Sequence, residues 1–258
     1  MQAGLHRFGT DFGNHDADRQ FFPRDAAAPR YLAEKARVLA SHPERFVCDA
    51  RDGHDERALE AARAWLAATL RAEGHGDHSA LSLFELGLRL CEDFAVTVLE
   101  PSGADRVVCV HACFPGGWRP EHVIGRSFLE VHAAVPAFGG VAAKAPSIVN
   151  AMVTRGPYVR FVWTVSADPE LDHHPEQGRR RSWDGTTRGY LRVERQVTVP
   201  LPAVASSVFL IRTYCYAFDE LSAEQRSVLR SALERMPPEV LRYKRLDSAL
   251  PFALARLG

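Results

Sequence analysis

Five runs of β-type sequence in the second half of the chain constrain the fold more than any other feature. All of them lie from Phe94 onward, and connections that carry proline and glycine separate them. Runs rich in valine, isoleucine and aromatic residues with alternating polarity are typical of strands. In order they read FAVTVLE, RVVCVHACF, YVRFVWTVSA, YLRVERQVTV and SSVFLIRTYCYAF. They predict a sheet of about five strands.

Helical patterns occupy both ends of the chain. Leu59 and Leu66 belong to an i, i+3, i+4, i+7 series of apolar residues, and Gly74 suits the end of that helix. Near the C-terminus Ser222 and Gln225 form a capping box, which predicts the start of another helix. The pattern is that of an α+β protein. We expect a single domain over 1–258, with an N-terminal helical region (1–92), a sheet core (93–220) and C-terminal helices (221–258).

The charge balance argues against a general attraction to nucleic acid or to anionic membranes. Lysine plus arginine and aspartate plus glutamate each number 32, so any basic site must be local. No segment approaches the ~18 apolar residues of a membrane span, and no apolar stretch of signal-peptide length is present. The five cysteines, an odd number without a C-x-x-C pair, predict buried reduced thiols. We expect a cytoplasmic protein without nucleic-acid or membrane partners, and a homo-oligomer stays open.

Three successive strand runs each place an arginine among apolar or aromatic neighbours. By strand parity Arg195 points to the apolar side of its strand, Arg160 shares a side with Val162, and Arg212 shares one with Leu210. A strand-end position or a salt bridge within the protein would explain any one of them. Together they favour a pocket for an acidic ligand with an apolar body, because arginine suits planar carboxylates. The partner of Arg195 would be a ligand carboxylate or one of the protein's own.

A short helix predicted from about Arg126 to Ala134 carries a histidine on an apolar face. Phe128 and Leu129 precede His132 by four and three residues and therefore share its face. A lone histidine on such a face is more often a satisfied core residue than a ligand. An imidazole, apolar walls and arginines for two propionates are, however, what a haem requires. We expect His132 to be the axial ligand, with His111 in VVCVHACF as the next candidate.

A zinc site is the competing metal hypothesis. Its ligands would be His75, His78, His173 and His174, in HGDH and DHHP. These histidines lie in polar stretches and supply no H-E-x-x-H helix, so the signal is weak. The segment 173–189 is polar and turn-rich and predicts a surface loop.

Three longer stretches resemble the signatures of the haem-dependent oxidative N-demethylase alpha-subunit family. They are FPGGWRPEHVIGRSFLEVHAAVP, VRFVWTVSADPEL and YLRVERQVTVPLPAVASSVFLIRTY. In that family W-x-P, I-H-x-P-V-P, R-x-N-W and L-R-V-E-R-Q-T-L elements recur in this order. Here the I-H-x-P-V-P element falls on Val131, His132, Ala134, Val135 and Pro136, and L-R-V-E-R-Q falls on Leu191 to Gln196.

The resemblance implies a PAS-like fold, in which an antiparallel sheet flanked by helices holds haem b. It also implies an O2-dependent oxidation of a small methylated amine to an iminium, which hydrolyses to formaldehyde and the shorter amine. The chain carries no flavin or iron–sulfur signature, so electrons would come from a separate reductase protein or from peroxide. The alternative functions are a haem-based gas or redox sensor and a haem-binding protein without catalysis.

Roles can be assigned to the candidate site residues on this basis. Arg160, Arg195 or Arg212 would neutralise the haem propionates. Glu194 and Arg192 lie on the opposite face of their strand from Arg195, and are candidates for catalysis. Glu194 would hold a protonated amine, whereas a salt bridge to a neighbouring arginine, a bracing role or a place in an access channel are the alternatives. The expected cofactor-binding residues are His132, Arg160, Arg195, Arg212, Trp163, Phe128, Val135 and Pro136.

Three positions depart from the family pattern. Ala134 replaces the first proline of I-H-x-P-V-P, Val123 stands where a lysine is expected, and Val162 replaces the asparagine of R-x-N-W. These changes leave the expected cofactor in place but alter the expected substrate. The identity of the amine therefore stays open, and dimethylamine is not assumed.

Overall fold

The computed structural model describes residues 4–136 and 139–258, and within these residues the chain forms one antiparallel sheet of seven strands. The strands are β1 (His6–Arg7), β2 (Phe46–Cys48), β3 (Asp93–Leu99), β4 (Asp105–His111), β5 (Tyr158–Ser166), β6 (Tyr190–Leu201) and β7 (Ser206–Ala217). Their order across the sheet is β1-β5-β6-β7-β3-β4-β2. The two longest strands, β6 and β7, therefore lie near the centre.

The helices of the described residues lie before, between and after the strands. They are α1 (Ala28–Ser41), α2 (Gly53–Ala72), α3 (Leu83–Gly87), α4 (Phe128–His132), α5 (Gly139–Ala142), α6 (Ala145–Thr154), α7 (Ala223–Glu234), α8 (Pro238–Tyr243) and α9 (Leu250–Leu257). The predicted capping box is present, because the Ser222 side chain accepts from the Gln225 backbone N–H at the start of α7.

The α+β class is confirmed, but the number of strands was wrong. The five β-type runs form β3 to β7, whereas β1 and β2 come from the region that was predicted to be helical. These two strands have only two and three residues, which is too short for alternation to be visible in the sequence. They form because β5 and β4 offer edges to pair with.

The register between strands defines two faces of the sheet. Residues that lie directly opposite each other in an antiparallel pair project to the same face. Arg195 pairs with Arg212 of β7 and with Phe161 of β5, and these side chains belong to what we call the closed face. Arg160 pairs with Gln196, and these side chains belong to the open face.

The closed face is covered along its length. Helix α2 and the N-terminal segment pack on one end of it, where Leu66 and Phe22 contact the valines and leucines of β3, β6 and β7. The C-terminal helices pack on the other end, where Leu229 and Leu233 join Val165 and Leu191 in a second core. Burial of these apolar side chains is the main stabilising term of the fold.

The open face is covered by the segment between β4 and β5. Helix α6 lies against β3, β6 and β7, and α4 lies against α6 and β4. Because α2 already occupies the closed face, α6 and α4 lie over the open one. This cover is incomplete: side chains in the middle of the sheet remain half-buried.

The prediction that residues 173–189 form a surface loop was wrong at its start. His173 and His174 are 4% and 2% exposed. His173 Nε2 is 2.9 Å from Asp168 Oδ1, and His174 Nε2 is 3.2 Å from Glu121 Oε1. The polar composition indicated exposure, but buried polar groups are tolerated when each has a partner.

The prediction that all five thiols are reduced was also wrong. Cys48 of β2 and Cys109 of β4 lie directly opposite each other in the sheet and form a disulfide. Cys91, Cys113 and Cys215 are free. Among the described helices, none has the length and apolar character needed to cross a membrane.

Candidate functional site

Helix α4 places His132 over the open face, and its start is fixed by side-chain caps. Ser127 accepts from the Glu130 backbone N–H, while the Glu130 carboxylate accepts from the Ser127 backbone N–H. The Phe128 N–H donates to Asp105 at the start of β4, at 2.6 Å. These bonds satisfy backbone donors that a helix start leaves unpaired, and they tie the helix to the sheet.

The imidazole of His132 has a defined tautomer. Its Nδ1 lies 2.8 Å from the Phe128 carbonyl oxygen, and because a carbonyl can only accept, Nδ1 carries the proton. Burial lowers the pKa of His132, and Arg160 lowers it further, while the bond to Phe128 opposes them. The ring is therefore neutral near pH 7 with its lone pair on Nε2. Metal-ligating histidines use this arrangement, with the other nitrogen donating to a carbonyl.

The residues around His132 agree in part with the sequence. The Phe128 ring packs on the imidazole with 4.3 Å between ring centres, as the helical spacing predicted. Leu129 is 39% exposed, so it adds little buried apolar surface around the imidazole. Val135 and Pro136 are half-buried in the turn after α4, and the Val135 N–H donates to the His132 carbonyl at 2.9 Å.

A chain of hydrogen-bonded side chains crosses the open face below His132. Arg160 Nε donates to Gln196 Oε1 at 2.7 Å, and Gln196 Nε2 donates to Glu194 Oε2 at 2.9 Å. The guanidinium of Arg160 also interacts electrostatically with Glu194 and Tyr243. A cation, an amide and a carboxylate are thus held in a row on two adjacent strands.

The backbone of another segment passes close to the carboxylate. A Cβ added at Gly116 would lie 2.8 Å from Glu194 Oε1, so a larger residue here would make the carboxylate shift. The segment FPGGW, which follows β4, therefore forms a wall beside Glu194.

The end of α8 contributes two residues that the sequence reasoning missed. Lys244 Nζ donates to the Trp163 carbonyl at 2.6 Å, where it meets the edge of β5. Tyr243 and Lys244 both interact electrostatically with Glu194, and burial, followed by Glu194, raises the pKa of Tyr243. No local pattern marks them, because they reach the site only through packing of the C-terminal helices.

The floor of the open face is apolar and incompletely covered. Tyr158 and Val162 of β5, and Phe209 and Ile211 of β7, are half-buried although β7 is a central strand. A half-buried apolar surface beside an imidazole and a guanidinium has the donor set and the walls that a haem needs. The residues present therefore fit this cofactor.

A comparison with known protein families shows to which family the chain belongs. Residues 36–252 match the family model described as haem-dependent oxidative N-demethylase, alpha subunit-like. The chain belongs to this family. The match covers most of the chain and confirms the resemblance found in the sequence.

In this member of the haem-dependent oxidative N-demethylase alpha subunit-like family, the three arginines do not share one pocket. Arg195 and Arg212 point to the closed face, opposite to Arg160. The prediction of a single arginine-lined pocket was therefore wrong. It failed because parity within a strand says nothing of the register between strands.

The closed-face arginines have partners within the protein. Arg195 Nη2 donates to the carbonyls of Gln20 at 2.8 Å and Ala17 at 3.4 Å, and its guanidinium lies 5.5 Å from the centre of the Phe8 ring. Arg212 Nη2 donates to Asp25 at 3.3 Å, and its guanidinium stacks 4.0 Å from the centre of the Tyr31 ring. Main-chain oxygens, rather than a carboxylate, are the hydrogen-bond acceptors of Arg195.

Arg192 and Trp163 also differ from their expected places. Arg192 shares the open face with Glu194, as predicted, but it is 1% exposed and donates to the carbonyls of Phe114, Glu170 and Leu171. It braces the loops around the site. Trp163 points to the closed face and packs with the C-terminal helices, away from the side of the sheet that carries Arg160.

The remaining histidines do not form the alternative sites. His111 is fully buried and stacked on Phe94 with 5.2 Å between ring centres, so it leaves no room for a porphyrin. His75 and His78 bond to main-chain carbonyls near the end of α2. Within the described residues this pair does not join His173 and His174 in a common cluster.

Proposed function

We propose that the chain binds one haem b non-covalently on the open face, with His132 as the axial ligand, and that it oxidises a small methylated amine. Membership of the family supports the function of a haem-dependent oxidoreductase. One observation supports this proposal most: the imidazole of His132 is neutral with its Nδ1 proton on a carbonyl, and it lies near enough to Arg160 for that cation to lower its pKa. The absence of a C-x-x-C-H motif favours non-covalent binding.

Each residue of the open face has a role in this proposal. When bound, the haem supplies the activation of O2 that the family's chemistry requires. His132 holds the iron, and the Phe128 carbonyl keeps its ring oriented. Arg160 donates one N–H group to Gln196. Its guanidinium has further N–H groups that can donate to a propionate. We infer that a PAS-like arrangement underlies this placement, with the cofactor between the sheet and α4.

Glu194 is proposed to bind the substrate. Its carboxylate accepts from Gln196 through Oε2, and among the described residues neither Arg160 nor Lys244 bonds to it directly, so we propose that a protonated amine binds to it. Oxidation of the amine's methyl group gives an iminium, and water converts this to formaldehyde and the shorter amine. Electrons would come from a separate reductase protein or from peroxide.

Val162 makes the proposed substrate pocket less polar. It is half-buried on the open face and lies directly opposite Glu194 in the register of β5 and β6. The resembling family has an asparagine here. A valine makes the wall beside the carboxylate less polar, so we propose an amine with a larger apolar substituent than dimethylamine carries. The positions of Val123 and Ala134, in the segment before and after α4, would further shape that substrate.

A hemin titration tests the cofactor. The purified chain should give a saturating Soret band at one equivalent, and incubation with methylated amines, O2 and a reductant should release formaldehyde. Absence of saturation would overturn the proposal. Saturation without formaldehyde from any amine tested would instead support a sensor or a haem-binding protein without catalysis.

Substitution of Glu194 tests the substrate role. Glu194→Gln keeps the shape but removes the charge, so KM for a protonated amine should rise by the worth of a charge-assisted bond, about 1.5–3 kcal/mol or roughly 10- to 100-fold. Glu234→Gln is the matched control, because Glu234 lies on α7 in an ion pair with Arg230. An unchanged KM in Glu194→Gln would reject this role.

A further inference from the structure

A second cluster of metal-ligating side chains lies inside the protein, where β3 and β4 meet. Asp93 begins β3, His111 ends β4, and Cys113 follows two residues later. One ligand atom from each of the three lies within 4.8 Å of the other two. All three residues are buried, with 2%, 0% and 0% exposure. Carboxylate oxygen, imidazole nitrogen and thiolate sulfur are all ligands of zinc-type ions.

His111 supplies an independent indication of a ligand. Neither Nδ1 nor Nε2 has a hydrogen-bond partner among the described residues, although the residue has no exposed surface. Burying a polar group without a partner costs free energy, and such groups in native proteins call for an explanation such as an ion. The Asp93 carboxylate and the Cys113 thiol are the metal-ligating groups close to this ring.

The surroundings hold these side chains in place. The His111 ring stacks on Phe94 and packs against Phe46 with 5.6 Å between ring centres. A Cβ at Gly87 would overlap the imidazole, so glycine at the end of α3 leaves the room that the ring needs. Asp93 accepts the backbone N–H groups of Cys113 and Phe114 at 3.0 and 2.7 Å. Such secondary contacts orient metal ligands.

We infer that Asp93, His111 and Cys113 form a buried site for a divalent ion of the zinc class. The ion would bond to one carboxylate oxygen, one imidazole nitrogen and the Cys113 thiolate, whose proton leaves on binding. It would link the start of β3 to the end of β4.

Lys35 lies beside the site and sets its charge balance. Its Nζ is 3.2 Å from Asp93 Oδ1 and donates to the carbonyls of Glu92 and Gly87. The Glu92 carboxyl also interacts with Lys35, and its Oε1 is buried without a partner among the described residues. The Asp93 carboxylate and the Cys113 thiolate together match the charge of a divalent ion.

The site is separate from the proposed haem site. His111 pairs with Phe94, and Phe94 pairs with Leu210, so the imidazole belongs to the closed face. His132 and Arg160 lie over the open face. Asp93 pairs with Ile211 at the end of the open face, but its carboxylate bonds to the backbone of Cys113 and Phe114 and to Lys35. The two sites therefore use different residues.

Metal analysis of the full chain tests the inference. Chain purified under reducing conditions, exposed to excess Zn2+ and desalted should retain one zinc per chain and melt at a higher temperature than chain treated with chelator. Co2+ in place of Zn2+ should give a thiolate-to-metal charge-transfer band in the near ultraviolet. Chain that retains no zinc and gives no such band would overturn the inference.

Two cysteine variants identify the ligand. Cys113→Ala should lose the retained zinc, while Cys91→Ala, which removes another buried free thiol, should keep it. Circular dichroism checks the fold of each, and the Co2+ band of the unaltered chain decides the thiolate ligand if Cys113→Ala does not fold. Full retention by folded Cys113→Ala would reject the site. Soret absorbance of the same samples reports the haem separately, so either proposal can fail without the other.

Discussion

The arginines on the two faces of the sheet differ in exposure and in hydrogen-bond partners. On the closed face, Arg195 and Arg212 are 5% and 0% exposed and bond to the segment between β1 and α1. On the open face, Arg160 remains accessible and bonds to Gln196, which bonds to Glu194. A cation enclosed by the protein's own residues is out of reach of a ligand on the open face, whereas the accessible cation of the open face can bind one.

The largest expected effect comes from Arg192, the open-face arginine that is fully enclosed. Arg192→Leu should lower the free energy of unfolding by about 3–5 kcal/mol, because it strands three buried carbonyl oxygens. Urea denaturation of the haem-free chain measures this. Arg188→Leu, which removes an exposed ion pair with Asp219, should change the stability little. A comparable small change in Arg192→Leu would show that Arg192 does not brace the site.

The next largest effects are expected from the substitution of Arg195 and of Arg160, on stability and on hemin affinity. Arg195→Leu should lower the free energy of unfolding by about 1–3 kcal/mol by stranding the Gln20 and Ala17 carbonyls, and should leave hemin affinity unaltered. Arg160→Leu should do the reverse: the haem-free chain stays nearly as stable, and hemin affinity falls about 10- to 100-fold. Thermal melts and hemin titrations of both variants show which of the two faces binds the haem. Loss of hemin affinity in Arg195→Leu alone would contradict the assignment.

A smaller effect is expected at the cap of α4. Ser127→Ala removes a helix cap worth about 1 kcal/mol, so hemin affinity should fall roughly fivefold if the helix positions the ligand. Ser222→Ala removes the same type of cap from α7, on the closed side of the sheet, and should leave hemin affinity unchanged. Equal hemin affinities in the two variants would mean that α4 does not hold the cofactor.

The smallest effect is expected on the free energy of unfolding at acid pH, through Asp55 at the start of α2. Burial raises the pKa of Asp55, but the bonds from Arg106 and the Arg51 backbone N–H outweigh it and lower the pKa below its usual value. The stabilisation is therefore present above pH 3.8 and is lost as the pH falls through the lowered pKa. Acid titrations of Asp55→Asn should lack this dependence, and an unchanged acid profile would show that the pair contributes nothing.

The sequence predicted what depends on local periodicity. It predicted that β3 to β7 would form, that Arg192 and Glu194 would lie opposite Arg195, and that Phe128 would pack on His132, since each follows from the repeat of one strand or helix. Which arginines share a face depends on register between strands. Arg160 pairs with Gln196 rather than with Arg195, and a shift of one residue moves a side chain to the other face.

Other features of the site could not be read locally at all. Tyr243 and Lys244 approach Glu194 only because the C-terminal helices pack at the edge of β5. The burial of His174 depends on Glu121, 53 residues away in sequence, and that of His173 depends on Asp168, which is only five residues away but is itself buried. Polar composition predicts exposure only when such partners are absent.

The axial ligand is the central claim, and hemin titration of His132→Ala tests it most directly. The unaltered chain and the control His122→Ala should each give a saturating Soret band at one equivalent. His132→Ala should remain folded by circular dichroism but lose most of its hemin affinity, and added imidazole should restore part of the spectrum. A His132→Ala spectrum and affinity equal to those of the unaltered chain would contradict the account.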